Sequence, residues 1–249
     1  MLTGKVAVVT GAGSGLGRAL CKRFCEEGCN VVGLGRMPES LEETAALVDS
    51  ELFSFRIVDV CVFHSVSGVF SEIVKTLGQV DYLFNNAAVY PKVSFLDESA
   101  EEWSAVIDTN VNGPANCCKA VLPHMIERGF GRIYNVGSFA DLGPIERSAA
   151  YSCSKGALHA LARAIMADLR ELNVAVEVHE WVPGHLNTQM SGFTGLDPSI
   201  PAGWAIDMVM RPASPGRGLL FEQDREFVPP RGMRAKIRDL VFFWRRNRE

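Results

Sequence analysis

Lys5-Val-Ala-Val-Val-Thr10, followed directly by Gly11-Ala-Gly-Ser-Gly-Leu-Gly17, decides the fold. The first six residues are rich in valine and almost wholly apolar, as expected of a parallel strand buried on both faces. After the glycines a helical apolar pattern runs through Leu20 and Phe24 to a stop at Gly28. A strand, a glycine turn and a helix in that order make a cradle for phosphate, because helix N-terminal amides attract an anion and glycine lets the backbone approach it closely. Gly11, Gly15 and Gly17 are spaced G-x-x-x-G-x-G; the G-x-G-x-x-G pattern would need glycine at position 16, where Leu16 stands.

Outward from this turn, strand and helix patterns alternate. Asn30–Gly35 reads as a second strand, 38–48 as a helix opened by Pro38 and Glu39, and Phe53–Val58 as a third strand ending at Asp59. A helix over roughly 62–77 and a strand over 80–84 lead to Asn85-Asn86-Ala87-Ala88. This alternation predicts an α/β fold: a doubly wound parallel sheet between two helical layers, with right-handed crossovers. Positions 29–36 contain no Asp or Glu and end in Arg36. In dinucleotide folds an acidic residue there holds a ribose 2′-hydroxyl, whereas a basic one accommodates a 2′-phosphate. Arg36 thus points to NADP, with Arg18 as a second phosphate contact; the alternative is that Arg36 only tops a strand in solvent.

A helix expected over 101–125 carries Pro114, which lacks the N–H that would take the Asn110 carbonyl, so a kink is predicted there. Gly131–Ser138 reads as a strand ending in a serine, and Ala149–Leu172 as a long helix. One turn of that helix separates Tyr151 from Lys155, which puts both on one face. A neighbouring ammonium favours the phenolate and would lower the tyrosine pKa, giving a tuned proton donor and acceptor. A sixth strand over 174–181 leads to Pro183-Gly184 and Thr188. The stretch 186–204, with Met190, Phe193 and Trp204, reads as a loop covering an apolar part of a ligand, within a lid reaching to about 215.

The chain has 249 residues, 47% hydrophobic and 22% charged, and fits one domain over 1–230 with a tail at 231–249. The tail holds seven Arg and Lys against Asp239 and Glu249, leaving the rest at −9 within a net charge of −4. Its apolar block Leu240-Val-Phe-Phe-Trp244 reads as a helix packing on a second subunit, or alternatively as a segment touching anionic lipid. No apolar run nears the roughly 18 residues of a membrane span, and the first strand starts too early for a signal peptide, so a cytoplasmic location is expected. Seven cysteines without framework spacing suggest reduced thiols. Cys21, Cys25 and Cys29 read as core packing rather than a metal stripe, and no metal site or nucleic-acid partner is expected.

Together, Thr10-Gly11-x-x-x-Gly15-x-Gly17, Asn85-Asn86-Ala87-Ala88, Asn110, Ser138, Tyr151-x-x-x-Lys155 and Pro183-Gly184-x-x-x-Thr188 resemble the short-chain dehydrogenase/reductase family over residues 4–190. The resemblance implies a Rossmann-like sheet of about seven parallel strands and a bound NADP(H), or NAD(H). It further implies hydride exchange with a carbonyl or secondary alcohol, as in a 3-oxoacyl reductase or another ketone reductase, and a homodimer or homotetramer. It gives catalytic roles to Asn110, Ser138, Tyr151 and Lys155, with Tyr151 as general acid/base and Asn110 holding a relay water. Gly11, Ser14, Gly15, Leu16, Gly17, Arg36, Asp59, Val60, Asn86, Ala87, Tyr151, Lys155, Pro183, Gly184 and Thr188 would line the cofactor. Ala88 replaces a usual glycine, and no usual last strand is evident; residues 217–228 are the expected substitute. A cofactor-binding sensor or interaction protein without catalysis is the alternative.

Overall fold

The computed structural model describes residues 2–172, 174–213 and 216–228. Strand β1 is Val6–Thr10, all five residues buried, and in the sheet it lies between β2 (Asn30–Gly35) and β4 (Tyr82–Asn85), with β3 (Phe53–Ile57) outside β2. Beyond β4 follow β5 (Phe130–Val136), β6 (Ala175–Val182), β7 (Leu220–Glu222) and the two-residue β8 (Arg225–Glu226). Pairing is parallel from β3 to β7, and β8 alone runs antiparallel. The order therefore reverses at β1 and opens a crevice there at the carboxyl ends of the strands.

Alternating strand residues feed two cores. Ala7 and Val9 face the side covered by α1 (Gly15–Glu26), α2 (Pro38–Val48) and α7 (Ser199–Met210), with Leu20, Phe24, Leu41 and Ile206. Val6 and Val8 face α3 (Phe63–Leu77), α5 (Gly113–Arg128) and α6 (Ala149–Leu172), with Phe70, Val121 and Met166. This is the expected three-layer arrangement, with the last parallel strand drawn from the 217–228 segment. Cys21, Cys25 and Cys29 are buried in the first core, and all seven cysteines are free thiols.

Two stretches differ from expectation. The helix over 101–125 is three pieces: α4 (Ala100–Ile107), a π-helical turn (Asp108–Asn112) and α5. The kink at Pro114 thus takes the form of a widened turn, in which the Gly113 amide donates to the Asp108 carbonyl. The stretch 186–204 is loop only to about residue 198, after which α7 packs Ala202, Ala205, Ile206 and Val209 into the core. The far half of the expected lid is therefore scaffold, and Trp204 belongs to a helix. The basic tail lies outside the described residues. No described helix is long and apolar enough to cross a membrane.

Candidate functional site

The glycine turn is seated on the end of β4 by Thr10, whose Oγ1 accepts from the amides of Asn86 and Ala87, both at 2.9 Å. The Asn86 side chain donates to the Thr10 carbonyl at 2.9 Å and lies 3.4 Å from that of Gly11. Contact is so close that side chains have no room. A Cβ on Gly11 would stand 2.9 Å from the Ala87 Cα, and one on Gly17 would overlap the Gly11 carbonyl oxygen. Gly11 and Gly15 also hold φ of +66° and +49°, a region glycine adopts without strain. Ser14 is the residue before α1, Leu16 packs its side chain into the core, and Thr188 closes over Gly15, its Cγ2 3.0 Å from where a Cβ would be. The α1 amides are thereby left as the polar lining of a cradle shaped for phosphate.

At the ends of β2 and β3, Arg36 faces Asp59 at 3.7 Å, and more than half of the Arg36 side chain is exposed. Burial pushes the Asp59 carboxyl up, but hydrogen bonds from Cys61 and the Arg36 charge outweigh it and hold it below its ordinary value. Val60 packs against Gly113, and its carbonyl accepts from Asn116 at 2.9 Å. Arg18 grips both Glu43 carboxylate oxygens, the Thr44 hydroxyl and the Gly13 carbonyl, and so braces the turn against α2. Gly184, at φ +94°, follows Pro183 out of β6 toward Thr188.

The second cluster centres on α6. Lys155 is buried; its Nζ donates to the Val136 carbonyl at 2.8 Å and lies 5.4 Å from the centre of the Tyr151 ring. Burial lowers the Lys155 pKa to about 8. Tyr151 does not show the depressed pKa expected beside a lysine. Burial pushes it above its ordinary value, a hydrogen bond from Ser138 pulls it back, and Tyr90 adds to the rise. Asn110 spends its side chain on architecture: Oδ1 accepts from the Val89 amide at 2.8 Å, and Nδ2 donates to the Val89 carbonyl and to Ser154 Oγ, both at 3.0 Å. These bonds tie the loop after β4 to α6, and they hold Tyr90 stacked on Tyr151 with ring centres 4.5 Å apart.

Ser138, Tyr151, Lys155 and Asn110 thus converge, and the glycine cradle with Thr188 forms a second grouping along the same sheet edge. Thr10 opens the glycine motif in the sequence, but its role in seating the turn on β4 is visible only in the fold. Tyr90 and His159 are not singled out by the sequence, because they depend on pairings between distant segments. Among the described residues, no group of three His, Cys, Asp or Glu side chains is placed to hold a metal ion.

The short chain dehydrogenase family model matches residues 5–198. The chain belongs to the short-chain dehydrogenase/reductase family. An uncharacterized oxidoreductase of Staphylococcus saprophyticus is 32% identical over 221 residues, covering 85% of this chain and 94% of that protein. Among solved structures, an NAD+-bound xylitol dehydrogenase is 34% identical with a TM-score of 0.69, over 74% of this chain and 72% of its own. The closed form of a serine dehydrogenase with NADP+ is 25% identical with a TM-score of 0.79, over 92% and 97%. This short-chain dehydrogenase is therefore an oxidoreductase of CH–OH groups that uses a nicotinamide dinucleotide. Its tight glycine turn and the α1 N-terminus fit the pyrophosphate of such a group, and Asp59 and Arg36, at the ends of β3 and β2, are the residues that could hold its adenosine end.

Proposed function

We propose that this dehydrogenase prefers NADP(H) and reduces a ketone, or oxidises the matching secondary alcohol, on a mainly apolar small molecule. The observation that carries the chemistry is the Tyr151 phenol over the buried Lys155, with Ser138 at its hydroxyl. In the reductive direction Tyr151 gives its proton to the carbonyl oxygen, while the Ser138 hydroxyl donates to the same oxygen and fixes its position. The buried ammonium of Lys155 returns a proton to the tyrosinate left behind. The hydride would come from a reduced nicotinamide held at the glycine turn. The main-chain carbonyl of Asn110, deprived of the Pro114 N–H, would hold a water that refills the proton path.

Cofactor preference rests on Arg36, the half-exposed cation at the end of β2, with no acidic residue on that strand. The apolar substrate is supported by three loops leaving the carboxyl ends of β4, β5 and β6. They carry exposed Phe95 and Leu96, Leu142 and Ile145, and Phe193. These side chains suit a less polar molecule than the names of the xylitol and serine dehydrogenases indicate for those proteins. Tyr151→Phe should lower kcat by about 10²- to 10⁴-fold, with NADPH affinity by fluorescence titration nearly unchanged. Retained turnover in a ketone screen followed at the NADPH absorbance band would refute the assignment.

A further inference from the structure

We infer that His159 is a positioning residue of this site, a charged bridge that holds the Ser138 turn and the end of β6 against α6. The inference rests on the reading of Ser138 and Tyr151 as a reacting pair. His159 lies two turns along α6 from Tyr151 and one from Lys155. Its Nδ1 meets a carboxylate oxygen of Glu180 on β6, and its Nε2 lies 3.4 Å from Asp141 Oδ1. Asp141 closes the short 3₁₀ turn Phe139–Asp141, which begins at Ser138 itself; the Ser138 Oγ accepts from the Ala140 amide at 3.1 Å. Glu180 stands three residues before Pro183, where the chain leaves the sheet for Thr188. One imidazole therefore touches each of the three segments that carry the proposed site.

Neutral imidazole has a single N–H and can donate to one carboxylate only. Carboxylate oxygens face both ring nitrogens, and turning the ring over exchanges the two without changing this. The bridge is thus complete only as imidazolium, and the geometry favours that form. In agreement, the Glu180 hydrogen bond raises the His159 pKa more than burial lowers it, with Asp141 adding to the rise. The charged groups facing the ring come from the Ser138 turn and β6. Acidic groups of α4 and the π-helical turn are engaged locally, Glu102 with Ser99 and Asp108 with Asn112. On α6 itself, Lys155 and Arg163 stand one turn to either side, Lys155 turned to Val136 and Arg163 exposed.

As pH rises through the raised His159 pKa, the bridge to one carboxylate is lost and Ser138 loosens from Tyr151. The test is NMR of the full chain labelled with ¹³C at tyrosine Cζ and histidine Cε1, which is tractable with four tyrosines and five histidines. Between pH 5.5 and 9 the Tyr151 resonance should inflect at the same midpoint as His159, above that of a free histidine. His159→Gln should abolish the Tyr151 inflection at that midpoint, leaving in place the separate one that Lys155 produces near pH 8. Glu180→Gln, which keeps the shape, should lower the His159 midpoint and carry the Tyr151 inflection down with it, with circular dichroism confirming the fold. Ser138→Ala provides the control, since it should displace the Tyr151 resonance at pH 6. If Ser138→Ala moves Tyr151 while the His159 and Glu180 variants leave its pH response unaltered, the bridge is not a positioning device and the active-site reading stands. A Tyr151 resonance indifferent to Ser138→Ala would overturn both.

Discussion

The glycine turn is fastened to β4 by neutral groups: a threonine hydroxyl, an asparagine amide and backbone atoms at van der Waals distance. The cluster on α6 is fastened through charge instead, with Lys155 on the Val136 carbonyl and His159 between two carboxylates. The contrast suits the task proposed for each end. A cradle for a dinucleotide needs a fixed shape and backbone donors, whereas a site that moves protons needs groups whose protonation can change. The first end should therefore answer to sterics and the second to pH.

The largest effect is expected at Lys155. Its folded pKa of about 8 lies below the ordinary 10.5, so at neutral pH the buried charge costs the apo protein roughly 3 kcal/mol. Above pH 8 the folded state releases this proton while the unfolded chain keeps it, so stability should climb between pH 8 and about 10.5. Urea midpoints measured across that range test the slope, and Lys155→Met should flatten it while cutting turnover at least 100-fold. His159 works with the opposite sign, its contribution complete below pH 6.5 and lost as pH rises through its raised pKa. A cofactor affinity for the glycine end that varied as steeply with pH as the α6 cluster would break the contrast.

At the neutral end, Gly17→Ala forces a methyl into the Gly11 carbonyl. It should cost about 1–3 kcal/mol, read as a ten- to hundredfold weaker NADPH affinity by calorimetry. Thr10→Val strands the Asn86 and Ala87 amides and should cost about 2 kcal/mol in the denaturant midpoint, with no dependence on pH. Arg36→Ala is the mildest. NADPH binding should weaken about tenfold, as for one exposed contact to a phosphate, and NADH binding should hold constant. Equal loss for both cofactors would remove the basis for NADP preference.

Much of this division was legible in the sequence because its signals are local. The β1-glycine-α1 motif is contiguous, α6 spans the residues its apolar period predicts, and Tyr151 and Lys155 meet within one turn. What escaped depends on partners far along the chain. The sequence does not show that Arg18 is gripped by Glu43, which α2 brings beside the turn. Asp141, His159 and Glu180 are unremarkable singly and meet only because β5, α6 and β6 pack together. The far half of the expected lid looked like loop because glycine and proline crowd it, yet Pro201 falls in the first turn of α7, where a missing N–H is harmless.

The widened turn at Asp108–Asn112 has a consequence for how this chain can vary. A π-helical turn amounts to one residue inserted into an α-helix, and each helical residue advances the chain by about 100° of rotation and 1.5 Å. Deleting Val111 would remove the widened turn and let α4 and α5 run on as one α-helix, interrupted only at Pro114, which still has no N–H to give. The two halves would then be turned against each other, and Asn110 could not keep its bonds to Val89 and Ser154 while Trp103 kept its edge on Phe95. Substitutions there can be absorbed, but the number of residues is fixed, so a change of length that improves the helix would dismantle the cleft.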